Sequence, residues 1–167
     1  MLPKLLEFKK PNWIKLEKVT GIPYLDALEC FKPVLLAETL ARFHLATLKN
    51  DQCLCHIDNS PKNILFCQDK YYFIDFSDSK MDCPERDITH LLLFWAADFS
   101  AKFFLDSVTI FWAIYTSFIQ LDKNRWNDCL QQNIAIFDQR RELYGKPTGK
   151  QSAAVQNSNR LYLSSIF

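Results

Sequence analysis

From Leu91 to Ile119 the chain is apolar almost throughout, and a run of that length has to be covered by protein or by lipid. Asp98, Lys102 and Asp106 recur at four-residue steps, and Thr109, Ala113 and Ser117 carry the same face onward. A helix through this region has one polar stripe and buries the rest, the pattern of a soluble helical lobe. A bilayer would penalise those ions at mid-depth, so no membrane span is expected.

The rest of the composition agrees with a packed domain. The 167 residues suffice for one domain, or one domain with a tail, and 49% of them are hydrophobic. Lys and Arg number 20 against 19 acidic residues, which gives no concentrated positive charge for nucleic acid. Cys30, Cys53, Cys55, Cys67, Cys83 and Cys129 do not form the paired CxxC knuckles of a structural zinc site. The Cys53–His56 run (CLCH) offers a soft-metal alternative, but cysteines acting as small hydrophobes are the simpler reading. No signal peptide opens the sequence, and a reducing, cytoplasmic compartment is the default expectation.

Local patterning orders the elements. Residues 3–20 read as two short strands joined by a turn at Lys9–Asn12, broken by Gly21-Ile22-Pro23. Pro33 starts a helix through Leu48. Asn63–Cys67 and Tyr71–Phe76 read as strands of a hairpin turning at Gln68-Asp69-Lys70. Two helices are expected from Pro84 to about Asp122, and another over Asn124–Tyr144 ending at Gly145. Residues 145–167 turn small and polar, predicting a flexible tail, with LYLSSIF at its end free to dock as a strand.

Chemistry concentrates between Cys55 and Ser79 (CHIDNSPKNILFCQDKYYFIDFSDS). Asp58 and Asn63 flank a loop that Pro61 stiffens, and the hairpin returns Asp75 towards that loop. Three oxygen-bearing side chains brought together suit magnesium, a hard ion that takes one or two protein ligands and the rest from phosphates and water. Asp75 lies within an apolar run, YYFIDF, where an unpartnered buried carboxylate is costly. Either Asp58 or Asn63 alone would read as a turn residue. Asp78 and Asp82 read as solvated loop positions, and Lys62 as either a phosphate contact or a solvent-facing lysine.

His56-x-Asp58-x-x-Pro61-x-Asn63-Ile64-Leu65, followed by Phe73-Ile74-Asp75-Phe76, resembles the catalytic and metal-binding loops of the kinase-like phosphotransferases, nearest the aminoglycoside/choline-kinase and lipopolysaccharide-kinase branch. The resemblance implies an α+β, mainly helical fold: a protein-kinase-like C-terminal lobe with a short strand and hinge remnant of the N-terminal lobe. Residues 1–22 would supply that remnant and 23–144 the helical lobe. It implies Asp58 as catalytic base, Asn63 and Asp75 as magnesium ligands, and His56 as structural support beneath the loop. Glu17, Lys18 and Val19 would offer backbone groups to adenine, and Asp87 in PERDITHLL would brace the catalytic loop. The implied activity is ATP- and magnesium-dependent phosphoryl transfer to a hydroxyl of a small molecule, a sugar or lipid-linked sugar, or a protein.

Departures from that pattern set up a second reading. The family covers its phosphates with a glycine-rich loop and holds them with a strand lysine. Gly21, Gly145 and Gly149 are the only glycines, too few and too scattered for such a loop. Ile57 stands where H-G-D has glycine, and Ser77 follows Asp75-Phe76. A catalytically inactive kinase-like binding module is therefore the alternative, and a protein partner covering the place of the missing lobe would suit either reading.

Overall fold

The computed structural model describes residues 1–9, 13–26, 28–143 and 149–167. It is a mixed fold dominated by helices, with three small sheets on one side. Strands β1 (Leu5–Lys9) and β2 (Trp13–Leu16) pair antiparallel, with Leu5 opposite Leu16. The turn expected at Lys9–Asn12 falls mostly outside the described residues. Strand β3 (Ile22–Pro23) adds to the hairpin described below, opposite Phe66 and Leu65.

Helix α1 (Pro33–Leu45) begins at a proline, whose missing N–H would be unpaired in a first turn anyway. It stops about three residues before the expected end. Its last turn tightens instead: Thr47 N–H donates to His44 O at 3.0 Å and Leu48 N–H to Leu45 O at 3.4 Å, three residues back and not four, before Asn50 and Asp51 take left-handed angles of φ 50° and 60°. Strand β4 (Cys53–Cys55) follows and leads into the loop carrying Asp58.

The hairpin consists of β5 (Ile64–Cys67) and β6 (Lys70–Phe73), in register from Ile64–Phe73 to Cys67–Lys70. Its turn is shorter than expected. Gln68 (φ 48°) and Asp69 (φ 55°) both take left-handed angles, the two-residue geometry that matches the twist of paired strands. Ile74 to Phe76 leave the ladder, because Asp75 too has a positive φ of 61°. Strand β7 (Lys80–Asp82) then pairs antiparallel with β4, an arrangement the sequence did not announce.

Three helices complete the core: α2 (Pro84–Asp98), α3 (Ala101–Thr116) and α4 (Lys123–Leu143). Helix α2 is the central one. Ile88, Leu91, Leu92, Leu93, Trp95 and Ala96 on it are all fully buried, covering more than a single apolar stripe. It packs against α3 and α4, and α1 lies across α3. Phe31, Trp95, Phe99 and Phe111 interlock edge-on or stacked, with ring centres 5.2–5.6 Å apart. Tyr24 fills the same core and its hydroxyl accepts from Trp95 Nε1 at 3.0 Å.

The flexible tail expected over residues 145–167 is corrected by a fifth helix. Residues 144–148, including the expected helix end at Gly145, lie outside the described residues. Helix α5 (Ala153–Ser164) starts at a Ser152 cap whose hydroxyl accepts from Val155 N–H. It buries Gln156, Asn159 and Leu163 against α2 and α3. The polar composition misled because these amides serve the core. Asn159 Nδ2 donates to the carbonyls of Ala96 (3.1 Å) and Phe99 (3.2 Å) at the unpaired end of α2. LYLSSIF is helical at its start instead of a strand, and Trp126 Nε1 donates to Leu163 O at 2.9 Å. No helix among the described residues is long and apolar enough to cross a membrane.

Candidate active site

The loop between β4 and β5 is held from below by one carboxylate. Asp87, fully buried in the first turn of α2, accepts from the backbone N–H of His56 (2.6 Å) and of Ile57 (2.7 Å). Its third bond comes from His44 Nε2 at 3.0 Å. Burial alone would raise the Asp87 pKa. The hydrogen bond and charge of His44, with the two backbone N–H groups, outweigh it and hold the carboxyl below the usual range. Asn59, also fully buried, adds a bond from Nδ2 to Asp87 O at 3.0 Å. The loop is thus tied to α2 through three of its residues, His56, Ile57 and Asn59.

Ile57 takes φ 69°, a left-handed conformation that a β-branched residue rarely adopts. The glycine expected from the H-G-D pattern would adopt it without strain. The two N–H bonds to Asp87 over-determine the turn and keep isoleucine in it.

His56 is buried and donates from Nε2 to Ile74 O at 2.7 Å, with its ring edge-on to Phe76. Ile74 N–H in turn donates to Asn63 O at 3.0 Å. The residue preceding Asp75 is therefore bonded to the Asp58 loop through both its carbonyl and its N–H. Asn63 closes the loop: its Nδ2 donates to Asp58 O (3.0 Å) and to Asp58 Oδ2 (2.9 Å). Because that nitrogen is committed to two acceptors, the amide orientation is fixed and Oδ1 is left as its oxygen donor.

Asp75 departs from its expected setting. It is exposed, so burial does not demand a partner for it, and Ser77 Oγ donates to Oδ1 at 2.9 Å. Phe73 is fully buried and Ile74 half-buried, while Asp75, at its positive φ, is exposed. Lys62 is exposed beside the loop. Near the strand pair, Glu17 N–H donates to Lys4 O at 2.8 Å, Lys18 is exposed and Val19 is half-buried. Asp78 is exposed, whereas Asp82 is partly buried in β7 and faces Arg86 at 3.4 Å.

Sequence reasoning missed His44, Asn59 and Tyr115. His44 is fully enclosed and bonds Tyr115 Oη through Nδ1 at 2.6 Å. The available signal was a histidine on the apolar face of α1, in line with Leu36 and Leu40, where an unpartnered imidazole would be costly.

The model of the phosphotransferase enzyme family matches residues 10–110, well over half of the chain. The chain belongs to that family. The phosphotransferase match begins after β1 and spans β2, α1, the loop of Asp58 and Asn63, the Asp75 segment and α2. Among solved structures, the chain is similar to amicoumacin kinase hAmiN in complex with AMP-PNP, Ca2+ and Ami, at 20% identity and a TM-score of 0.37. That alignment covers 86% of this chain and 48% of the kinase, so the chain spans about half the length of that protein. No curated protein sequence matches the chain.

Proposed function

We propose that this phosphotransferase-family chain carries the metal and base half of an ATP- and magnesium-dependent transfer of a γ-phosphoryl group to a hydroxyl. The supporting observation is the linkage of Asp58, Asn63 and the Asp75 segment by the Asn63 amide and the two Ile74 backbone bonds. The donor set fits the ion: Asn63 Oδ1 and the exposed Asp75 carboxylate are hard oxygen ligands, with room for phosphate and water. When bound, magnesium would neutralise phosphate charge there.

The remaining chemistry belongs to the side chains. Asn63 engages Oδ2 of Asp58, so Oδ1 is the oxygen left to accept the hydrogen bond of an incoming hydroxyl and align it. Asp87 fixes the backbone on which Asp58 rides, and positioning of that kind supplies much of the rate enhancement in phosphoryl transfer. Lys62, mobile on an exposed side chain, would meet phosphate oxygens. Lys18 and Val19 would present backbone groups to adenine.

A second reading is a non-catalytic module that keeps the loop for structure. It is favoured by one observation: three scattered glycines supply no phosphate-covering loop within this sequence. Calorimetry with ATP and magnesium, followed by phosphoryl transfer to a panel of hydroxyl acceptors, separates the two. On the first reading Asp75→Asn abolishes the metal dependence of binding, and Asp58→Asn stops transfer while binding survives. No binding at millimolar nucleotide favours the second reading, and retained turnover in Asp58→Asn removes the base role.

A further inference from the structure

Beneath the loop, on the side away from Asp75, His44 and two cysteines of β4 form an enclosed cluster that the phosphotransfer reading does not use. One imidazole nitrogen and the two Sγ atoms of Cys53 and Cys55 all lie within 4.8 Å of one another. All three residues are 0% exposed. Strand alternation sends both cysteines to the same face, and their sulfurs stand 3.7 Å apart. Two thiolates on one tetrahedral zinc, each about 2.3 Å from the ion, stand about 3.8 Å apart. His56, the histidine adjacent in sequence, is not among these grouped ligand atoms, and its Nε2 bonds Ile74 O.

We propose that His44, Cys53 and Cys55 bind one zinc-class divalent cation under the catalytic loop. Binding releases the two thiol protons to solvent and forms two sulfur–metal bonds, so the thiolates cancel the charge of the ion and the net charge of the enclosed site is unchanged. Both nitrogens of His44 now hold hydrogen bonds, Nδ1 with Tyr115 Oη and Nε2 with Asp87 Oδ2. When either nitrogen turns to the ion, the bond at the other fixes the ring and raises its basicity, as partners behind metal-bound histidines do. The oxygen displaced, phenol or carboxylate, is itself a ligand for the fourth position. Because Asp87 also holds the N–H groups of His56 and Ile57, the cation would sit one side chain away from the backbone that carries Asp58.

The test uses the full chain. Loaded with zinc(II) and freed of excess by gel filtration, it should retain about one equivalent by elemental mass spectrometry. Cobalt(II) in its place should give thiolate-to-metal charge-transfer absorption, a signature that the all-oxygen Asn63–Asp75 site cannot produce. Cys53→Ala and Cys55→Ala should each lose that absorption, while Cys129→Ala, whose sulfur faces Cys83 instead at 3.4 Å, should keep it. Should the β4 variants fail to fold, the unaltered protein decides alone. Less than about a tenth of an equivalent of zinc, or a cobalt complex without sulfur charge transfer, overturns the proposal. So does an undiminished spectrum in both β4 variants.

Discussion

Ile57 stands at φ 69° and donates its N–H to Oδ1 of Asp87 at 2.7 Å. A strained residue is thus held by the same carboxylate that orders the loop. Truncating the side chain two ways isolates the strain. Ile57→Gly should be more stable than Ile57→Ala by about 1 kcal/mol, the reverse of the order these residues show in ordinary extended or helical backbone. Paired urea unfolding curves measure it, and an alanine variant at least as stable as glycine removes the strain argument.

Asp87→Asn leaves one acceptor oxygen where two backbone N–H groups and His44 now converge. At least one buried donor loses its partner, a cost of about 1–3 kcal/mol. Chemical denaturation should register that loss, together with faster amide exchange at Ile57. An unchanged midpoint would show that water replaces the carboxylate at no cost.

His90, buried beside Phe94, has its pKa lowered to about 4 by burial, with Asp87 and Asp58 pulling against that effect. The folded chain therefore keeps the ring neutral while the unfolded chain protonates it near 6.5. Between those values the unfolded state binds more protons, so stability is full above about pH 6.5 and falls as pH drops towards about 4. The loss should reach about 3 kcal/mol. His90→Phe keeps a ring and should flatten that stretch of a stability-against-pH curve. Asp87, lowered below its ordinary range, adds a further loss only at more acidic pH. Parallel curves for variant and parent would assign the acid sensitivity elsewhere.

Asn159 links α5 to the carbonyls of Ala96 and Phe99. Asn159→Ala should cost about 1–3 kcal/mol because those buried acceptors lose their donor. Ser158→Ala, exposed one residue earlier, should change thermal stability by less than about 0.5 kcal/mol. Equal effects of the two substitutions would mean that α5 is not docked in solution.

The helical bulk was readable in part: Lys102, Asp106, Thr109 and Ala113 keep one exposed face of α3, but Asp98, read into the same stripe, ends α2 across the break at Phe99–Ser100. The loop was readable because Asp58, Asn63 and Asp75 keep a spacing that a core does not require. What stayed hidden were contacts between residues distant in sequence. The pairing of β4 with β7, the bonds from Asn159 to α2, and the joining of His44 to Tyr115 across 71 positions leave no local period to find. Asp75 was misjudged for a related reason. Its neighbours are apolar, but a single left-handed residue reverses which way a side chain points, and no alternation pattern encodes that.

The docking of α5 sets the order in which this chain can be finished on a ribosome. Trp126 waits for Leu163, and the end of α2 waits for Asn159, some 60 positions later. Until residues 153–164 emerge, α2 presents bare carbonyls and an uncovered apolar flank to solvent or to chaperones. Stalled translation short of that point should release chains that aggregate, even though the loop of Asp58 has long since been synthesised.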